Sequence, residues 1–420
     1  ALEALVYRPS SICWVWTCLL QLSNWTLIGL EDCFTPRLPC LLQPPPSHLL
    51  HCSLSRDHHA LALFDEQLRS AICHLTNSNL SDIQWLQATL PVKEGGLGVR
   101  RVTSLALPAF IASAARTLSL QSSILACCLC SGLDYSFLQE YLSTWSSAFG
   151  DLPDFLPSSQ AYWDHPVVAA DRAQVESSLD TPFRLATFLA ATSRHSGDWL
   201  FALPIASCGL KLDDEAVRVA VGLRLGLDVC VPHPCRCGSL VDARGLHSLV
   251  CKQAPGKSSR HHALNDVVAR SLAAAGIPVM KEPVGLSRRD GKRPDGLSLI
   301  PFEGGKPLTW DVTVVCPTAD SYIDLAAQSS GAVAEMAASR KEAKYSNLTS
   351  QYIFQPIAVE TLGAINDSAC SFLNNLGRKI SACSGDDRES SFLFQRVSVL
   401  VQRYNAVLLH DGFDMFEHTG

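Results

Sequence analysis

Arg293-Pro294-Asp295-Gly296-Leu297-Ser298-Leu299-Ile300-Pro301-Phe302-Glu303-Gly304-Gly305-Lys306-Pro307-Leu308-Thr309-Trp310-Asp311-Val312-Thr313-Val314-Val315 is the stretch that decides the architecture. Two β-rich runs, Leu297 to Phe302 and Leu308 to Val315, flank the Gly304-Gly305 pair. Adjacent glycines supply the positive φ angles of a tight hairpin turn. Folding the stretch about that turn brings Asp295 within a few residues of a position opposite Asp311. Directly opposed Cβ atoms lie about 4.5–5.5 Å apart, and diagonal ones about 7–8 Å. Carboxylates at that spacing repel each other, and a divalent cation between them turns repulsion into binding. Mg²⁺, or Mn²⁺ in its place, takes carboxylate oxygens, waters and a substrate phosphate. Such an ion polarises a phosphodiester and acidifies a bound water. A nearby ammonium then orients that water or offsets developing charge. Lys341 and Lys344 are one helical turn apart on a shared face and are the candidates. Taken alone, the two acids also fit a turn residue and a strand-edge charge.

Outward from the hairpin, a helix is expected from about His262 to Ala275, stopped by Gly276 and Pro278. A small-residue helix follows at Ala332 to Tyr345, a strand at Ile353 to Val359 and a helix at Asp367 to Ile380. The sequence of elements is α/β around a small mixed sheet. Just upstream, Cys235-x-Cys237-x9-His247-x3-Cys251 offers three thiols and an imidazole within a short span, the ligand types of a structural Zn²⁺ site. Its C-x-C spacing is tighter than usual, and three unrelated thiols with a surface His fit the same residues. Cys230 and His233 are substitutes.

The chain resembles, at Arg260-His261, Leu264-Asn265-Asp266, Asp290-Gly291-Lys292-Arg293-Pro294-Asp295-Gly296, Trp310-Asp311-Val312-Thr313-Val314, Lys341-Glu342-Ala343-Lys344-Tyr345 and Val359-Glu360-Thr361-Leu362-Gly363, the C-terminal restriction-like endonuclease of site-specific non-LTR retrotransposons, of the PD-(D/E)xK superfamily. The resemblance is densest over residues 230–410. It implies that Asp295 and Asp311 hold the catalytic metal and that a Lys completes the site. Thr313 stands where the superfamily pattern has Lys. The resemblance displaces that Lys to the following helix, at Lys341 or Lys344, with Lys341 preferred. Arg260, His261, Lys292 and Arg293 become nucleic-acid contacts, and Glu282 an outer contributor. A Cys-Cys-His-Cys knuckle before the nuclease belongs to the same pattern and would seat DNA or RNA. Trp85-Leu86-Gln87-Ala88, Leu90-Pro91-Val92 and Gly95-Gly96-Leu97-Gly98-Val99-Arg100 are similar to the region after the polymerase thumb in such polyproteins. The implied partners are double-stranded target DNA, element RNA and an upstream reverse-transcriptase domain, in the nucleus. The alternative is a catalytically inactive nucleic-acid-binding remnant.

Five segments are expected: a poorly defined leader (1–55), a mostly helical region (56–229), a zinc knuckle (230–255), a restriction-like endonuclease with a small mixed sheet (256–385) and a C-terminal extension (386–420). The chain opens on Ala1, as a piece of a longer protein can. Helical spacing is expected from Leu61 to Leu75, a helix start at Ser81-Asp82, a helix from Pro108 to Leu120 with the Pro in its first turn, and an acid-capped start at Asp213-Asp214. Net charge is −6, so the whole chain does not advertise a polyanion partner. Between Lys252 and Trp310, however, ten Lys or Arg face five Asp or Glu, a local footprint for DNA. The 17 scattered Cys read as thiols of a reducing compartment rather than a disulfide framework. The apolar run Ile12 to Leu22 is shorter than the roughly 20 residues of a membrane span. Lys93–Gly98 lacks the Gly-Lys-Ser/Thr ending of a P-loop, and Gly385-Asp386-Asp387 reads as a solvated loop.

Overall fold

A computed structural model of the chain describes residues 59–126, 136–286 and 293–411. The leader, the Cys127-Cys128-x-Cys130 run and Lys292 lie outside the described residues. The chain divides into two compact units. One takes the residues up to 91 and 97–178, and the other takes 92–96 and 179 onward.

The described part of the first unit is helical: α1 (His59–Thr76), α2 (Asp82–Thr89), α3 (Val102–Ala126), α4 (Ser136–Phe149) and α5 (Gln160–Ser177). Ser81 caps α2 in a reciprocal capping box with Gln84, which satisfies two helix-end donors at once. Helix α3 begins earlier than Pro108 suggests, and that proline lies inside it. The reason is a remote cap. Buried Asp65 on α1 accepts from Val102 N at 2.8 Å and from Thr103 N at 3.2 Å, so the helix starts where no local signal marks it. Trp145 and Trp163 anchor the core edge-to-face at 5.0 Å, and both indole N–H groups donate to carbonyls.

The second unit opens with α6 (Pro182–Thr192) and α7 (Asp214–Leu225). Asp213 caps α7 by accepting from Ala216 N at 2.7 Å, and Gly226 ends it in the left-handed conformation. Buried Arg224 donates to the carbonyls of Gly96, Val92 and Ala191 at 2.8–3.0 Å. The Gly-rich loop at 93–98 thus gives the Gly96 carbonyl to a structural guanidinium.

A two-stranded ribbon, β1 (His233–Pro234) and β2 (Leu240–Val241), precedes α8 (Leu246–Val250) and α9 (Gly256–Ala274). The main sheet runs β3 (Val279–Lys281), β4 (Gly296–Glu303), β5 (Lys306–Val315) and β6 (Ile353–Glu360). The β3–β4 and β4–β5 pairs are antiparallel, and β5–β6 is parallel. Between β5 and β6 lie α10 (Ile323–Ala326) and α11 (Ala332–Lys344); after β6 come α12 (Asp367–Ser384) and α13 (Glu389–Asp411). The mixed α/β class expected from the sequence is observed, and Gly304 and Gly305 turn the hairpin at φ +54° and +77°.

Strand alternation sorts the layers. Leu308, Trp310 and Val312 of β5 and Ile357 and Val359 of β6 share one core with α9, α12 and α13. On the other face, Ala358 packs against Ala334, Ala337 and Ala338 of α11. Helix α13 belongs to the first of these cores through Leu393, Phe394, Val397 and Val401. Gly385-Asp386-Asp387 joins α12 to α13, with Asp386 paired to Arg388, as expected for a loop. Among the described residues no helix is long and apolar enough to cross a membrane, and the cysteines are free.

Candidate functional sites

Two groups of functional side chains converge in the second unit. The first is the Cys/His cluster. Cys235-Arg236-Cys237-Gly238 forms a turn closed by Gly238 N donating to Cys235 O at 2.8 Å. Gly238 takes the left-handed φ of +85°, while neither cysteine has a positive φ. The tight C-x-C spacing is thus accommodated by the glycine after it. His247 lies on α8, and Cys251 caps that helix one turn later, its N–H donating to His247 O at 2.8 Å. One ligand atom from each of Cys235, Cys237, His247 and Cys251 falls within 4.8 Å of all the others.

The donor set fits Zn²⁺. Sγ atoms of Cys235 and Cys251 are 3.8 Å apart, which is the edge of a tetrahedron with Zn–S bonds of about 2.3 Å. Cys237 Sγ and His247 Nε2 are 3.1 Å apart. Hydrogen bonds from Ser239 bring the Cys237 thiol down to about 6, toward the thiolate that a metal needs. Burial pushes Cys235 up. Neither expected substitute joins the set: Cys230 Sγ donates to Asp242 O at 3.2 Å, and His233 Nδ1 contacts Val231 O at 2.8 Å. These four residues can therefore hold a structural zinc ion. Among the described residues no other group of three or more His, Cys, Asp or Glu converges so closely.

The second group surrounds the start of β4. Gly296 pairs with Trp310, whose ring lies over it; a Cβ at 296 would come within 2.0 Å of that ring. Trp310 Nε1 donates to Asn265 Oδ1 at 2.8 Å, and Asn265 Nδ2 donates to Asp295 O at 3.3 Å. One turn earlier on α9, His261 Nε2 meets Asp295 Oδ1 at 3.1 Å. The other oxygen, Asp295 Oδ2, accepts from Val312 N at 2.6 Å. Asp295 N also donates to Trp310 O at 2.9 Å, so Asp295 brackets Asp311 on both sides.

Asp311 leaves β5 on the α11 face and is almost wholly enclosed. Lys341 Nζ donates to its Oδ1. Lys344 Nζ is 3.7 Å from Oδ2 and donates to Tyr345 Oη at 2.6 Å, which in turn donates to Arg293 O at 2.8 Å. Arg293 pairs with Glu282, which lowers the Glu282 carboxyl pKa; Glu282 itself holds a φ of +49°. His261 feels the whole group: the hydrogen bond to Asp295 raises its pKa against burial, the charges of Asp295 and Asp311 raise it further, and Lys341 opposes them.

The sequence-predicted residues Asp295, Asp311, Lys341, Lys344, His261 and Arg293 are therefore neighbours. Arg260 is not among them. It is 2% exposed, with Nη1 on Asn405 Oδ1 at 3.3 Å, and burial lowers its pKa to about 10. The expectation that it contacts nucleic acid gives way to a role inside the α9–α13 packing, because α13 covers it. Sequence reasoning missed what Asn265, Tyr345 and Glu360 do. For Asn265 a signal existed, since it follows His261 at helical i,i+4 spacing. Glu360 ends β6, is 1% exposed and accepts from Ala334 N at 3.0 Å; burial pushes its carboxyl up to about 7.

Comparison with models of known protein families and with curated proteins finds no match for this chain. What stands is a mostly helical protein with a small mixed sheet and a Cys₃His cluster suited to zinc.

Proposed function

We propose that this chain is a metal-dependent DNA endonuclease of the PD-(D/E)xK type, from the C-terminal part of a non-LTR retrotransposon polyprotein. The observation that carries the reading is the meeting of Lys341 with Asp311 while Asp295 bonds to the adjoining Val312 peptide. A buried carboxylate without a counter-charge is costly, and Lys341 supplies that charge at Asp311. The second oxygen of Asp311 faces Lys344 at a looser 3.7 Å.

A divalent cation bound by Asp295 and Asp311 would supply Lewis acidity and an acidified water. The chain's own groups do the rest. His261 and Asn265 fix Asp295 from α9, and Lys341 stands where it can orient a water or neutralise charge on the phosphate. Half-buried Arg293, paired with Glu282, and exposed Lys281, paired with Asp266, flank the site and would turn to backbone phosphates. The nick would leave a 3′-hydroxyl able to prime reverse transcription. The zinc knuckle would seat DNA or element RNA beside the site.

The test is nicking of supercoiled plasmid by purified protein in Mg²⁺ or Mn²⁺. Asp295→Ala and Asp311→Ala should each abolish nicking while leaving salt-sensitive DNA binding in place. Nicking that persists in either variant refutes the assignment. DNA binding without metal-stimulated nicking in the unaltered protein selects the inactive remnant instead.

A further inference from the structure

Helix α11 carries both lysines of the candidate site, yet it has no cap of its own. Gly331 precedes it at φ +73°, and no local side chain accepts from its first turn. Its sheet-facing residues are Ala334, Ala337 and Ala338, packed on Ala358. A smooth alanine face lets a helix approach a sheet closely, but it has no bulky side chains to lock its position along the strands. Buried Val333 anchors the helix on its other side, against Ala186 and Ala326; toward the sheet, one polar contact ties it at each end. At the C-terminal end Lys341 reaches Asp311. At the N-terminal end Glu360, on the same face of β6 as Ala358, accepts from Ala334 N at 3.0 Å. Lys341 follows Ala334 by two helical turns and so projects from the same face.

We propose that Glu360 is the positioning residue of this site: by capping α11 from the end of β6, it sets the height at which Lys341 meets Asp311. The backbone at Glu360 is itself braced, with Glu360 N donating to Ala364 O at 2.7 Å and Thr361 N to Val315 O at 2.8 Å. The acceptor therefore moves with the sheet and not with the helix. The N–H groups of Ala334 and Val333 in that first turn favour the charged form of Glu360 and in part offset its burial. A slip by one helical residue, about 1.5 Å, is enough to part a lysine from its carboxylate. The effect on catalysis rests on the nuclease reading; the placement of Lys341 does not.

Placement is read by brief labelling of the intact protein with a soluble N-hydroxysuccinimide ester, quantified per lysine by mass spectrometry, with exposed Lys211 as internal reference. Glu360→Ala should raise labelling of Lys341 several-fold relative to Lys211. Glu360→Gln, which keeps an acceptor oxygen at the same reach, should restore the unaltered level. Equal Lys341 labelling in the unaltered protein and in folded Glu360→Ala overturns the proposal. Should Glu360→Ala fail to fold, Glu360→Asp, with its acceptor withdrawn by one methylene, carries the same expectation and the same refutation. In the nicking assay Glu360→Ala should lower kcat at least about tenfold with KM for plasmid little changed, and Glu360→Gln should recover it. An equal fall in both variants overturns the positioning role. Absence of nicking in the unaltered protein sinks the nuclease reading alone, and the labelling result still decides the role of Glu360.

Discussion

Glu360 is a buried carboxyl whose ionisation works against the fold. Its carboxyl titrates near 7 in the folded chain against a reference of 4.5, with burial as the main cause. Between those values the folded state holds the proton more tightly than the unfolded state. Stability therefore falls as pH rises from about 4.5 to about 7 and stays lower above that. Glu360→Gln has no ionisation to suppress. Its stability advantage over the unaltered protein should widen by about 2 kcal/mol between roughly pH 5 and pH 8, measured by urea unfolding at each pH. A gap that does not change between the two would show that this carboxyl does not titrate as burial requires. At this scale the candidate site was legible where chemistry is local. Asp295, Asp311 and the two lysines are candidates by residue type and spacing, but the acids alone also fit a turn residue and a strand-edge charge, and the family resemblance is what singles them out. The partners of Glu360 and Arg260 lie 26 and 145 positions away. No local pattern carries that information, so one residue's role was unseen and the other's misjudged.

At the scale of elements, the hairpin was readable because glycine pairs and β-rich runs act locally. The start of α3 was not, because Asp65 caps it from another helix. The Cys/His cluster shows the same division. Its ligands were visible, but β1 and β2 have two residues each and α8 has five, far too short to persist alone. Its buried apolar centre is little more than Cys235, Val241 and Cys251. Bound zinc would supply, through its four ligands, what this small apolar centre does not. The purified protein should carry one equivalent of zinc by elemental analysis. Chelation should remove hydrogen-exchange protection from the amides of Cys235, Gly238 and Cys251 while protection in β5 and β6 persists. Full protection of the knuckle after complete zinc removal would mean that its hydrogen bonds suffice.

For the molecule as a whole, the decisive element is one the sequence presented as an appendage. The expectation of an extension over residues 386–420 gives way to α13, which lies in the core of the second unit. Phe394 is 2% exposed, and its ring stacks on His195 at 3.7 Å. Ser398 accepts from Trp199 N at 3.1 Å, and Asn405 ties Arg260 to Thr361 O. The helix thus joins segments from near residue 195, from α9 and from the end of β6, where Glu360 sits. The apolar spacing of Leu393, Phe394, Val397 and Val401 is helical, though only an extension was expected there; its place in the core is not marked locally, since besides neighbouring α12 its partners lie far away in sequence. Truncating Phe394 leaves a cavity among α9, α12, α13 and the sheet. Phe394→Ala should lower stability by about 3–5 kcal/mol, read by denaturant midpoint and by loss of tryptophan burial at Trp199 and Trp310. The loss should extend to the sheet, because α9 and α13 hold Asp295 and Thr361 through Asn265 and Asn405. A variant that loses less than about 1 kcal/mol would place α13 outside the cooperative core.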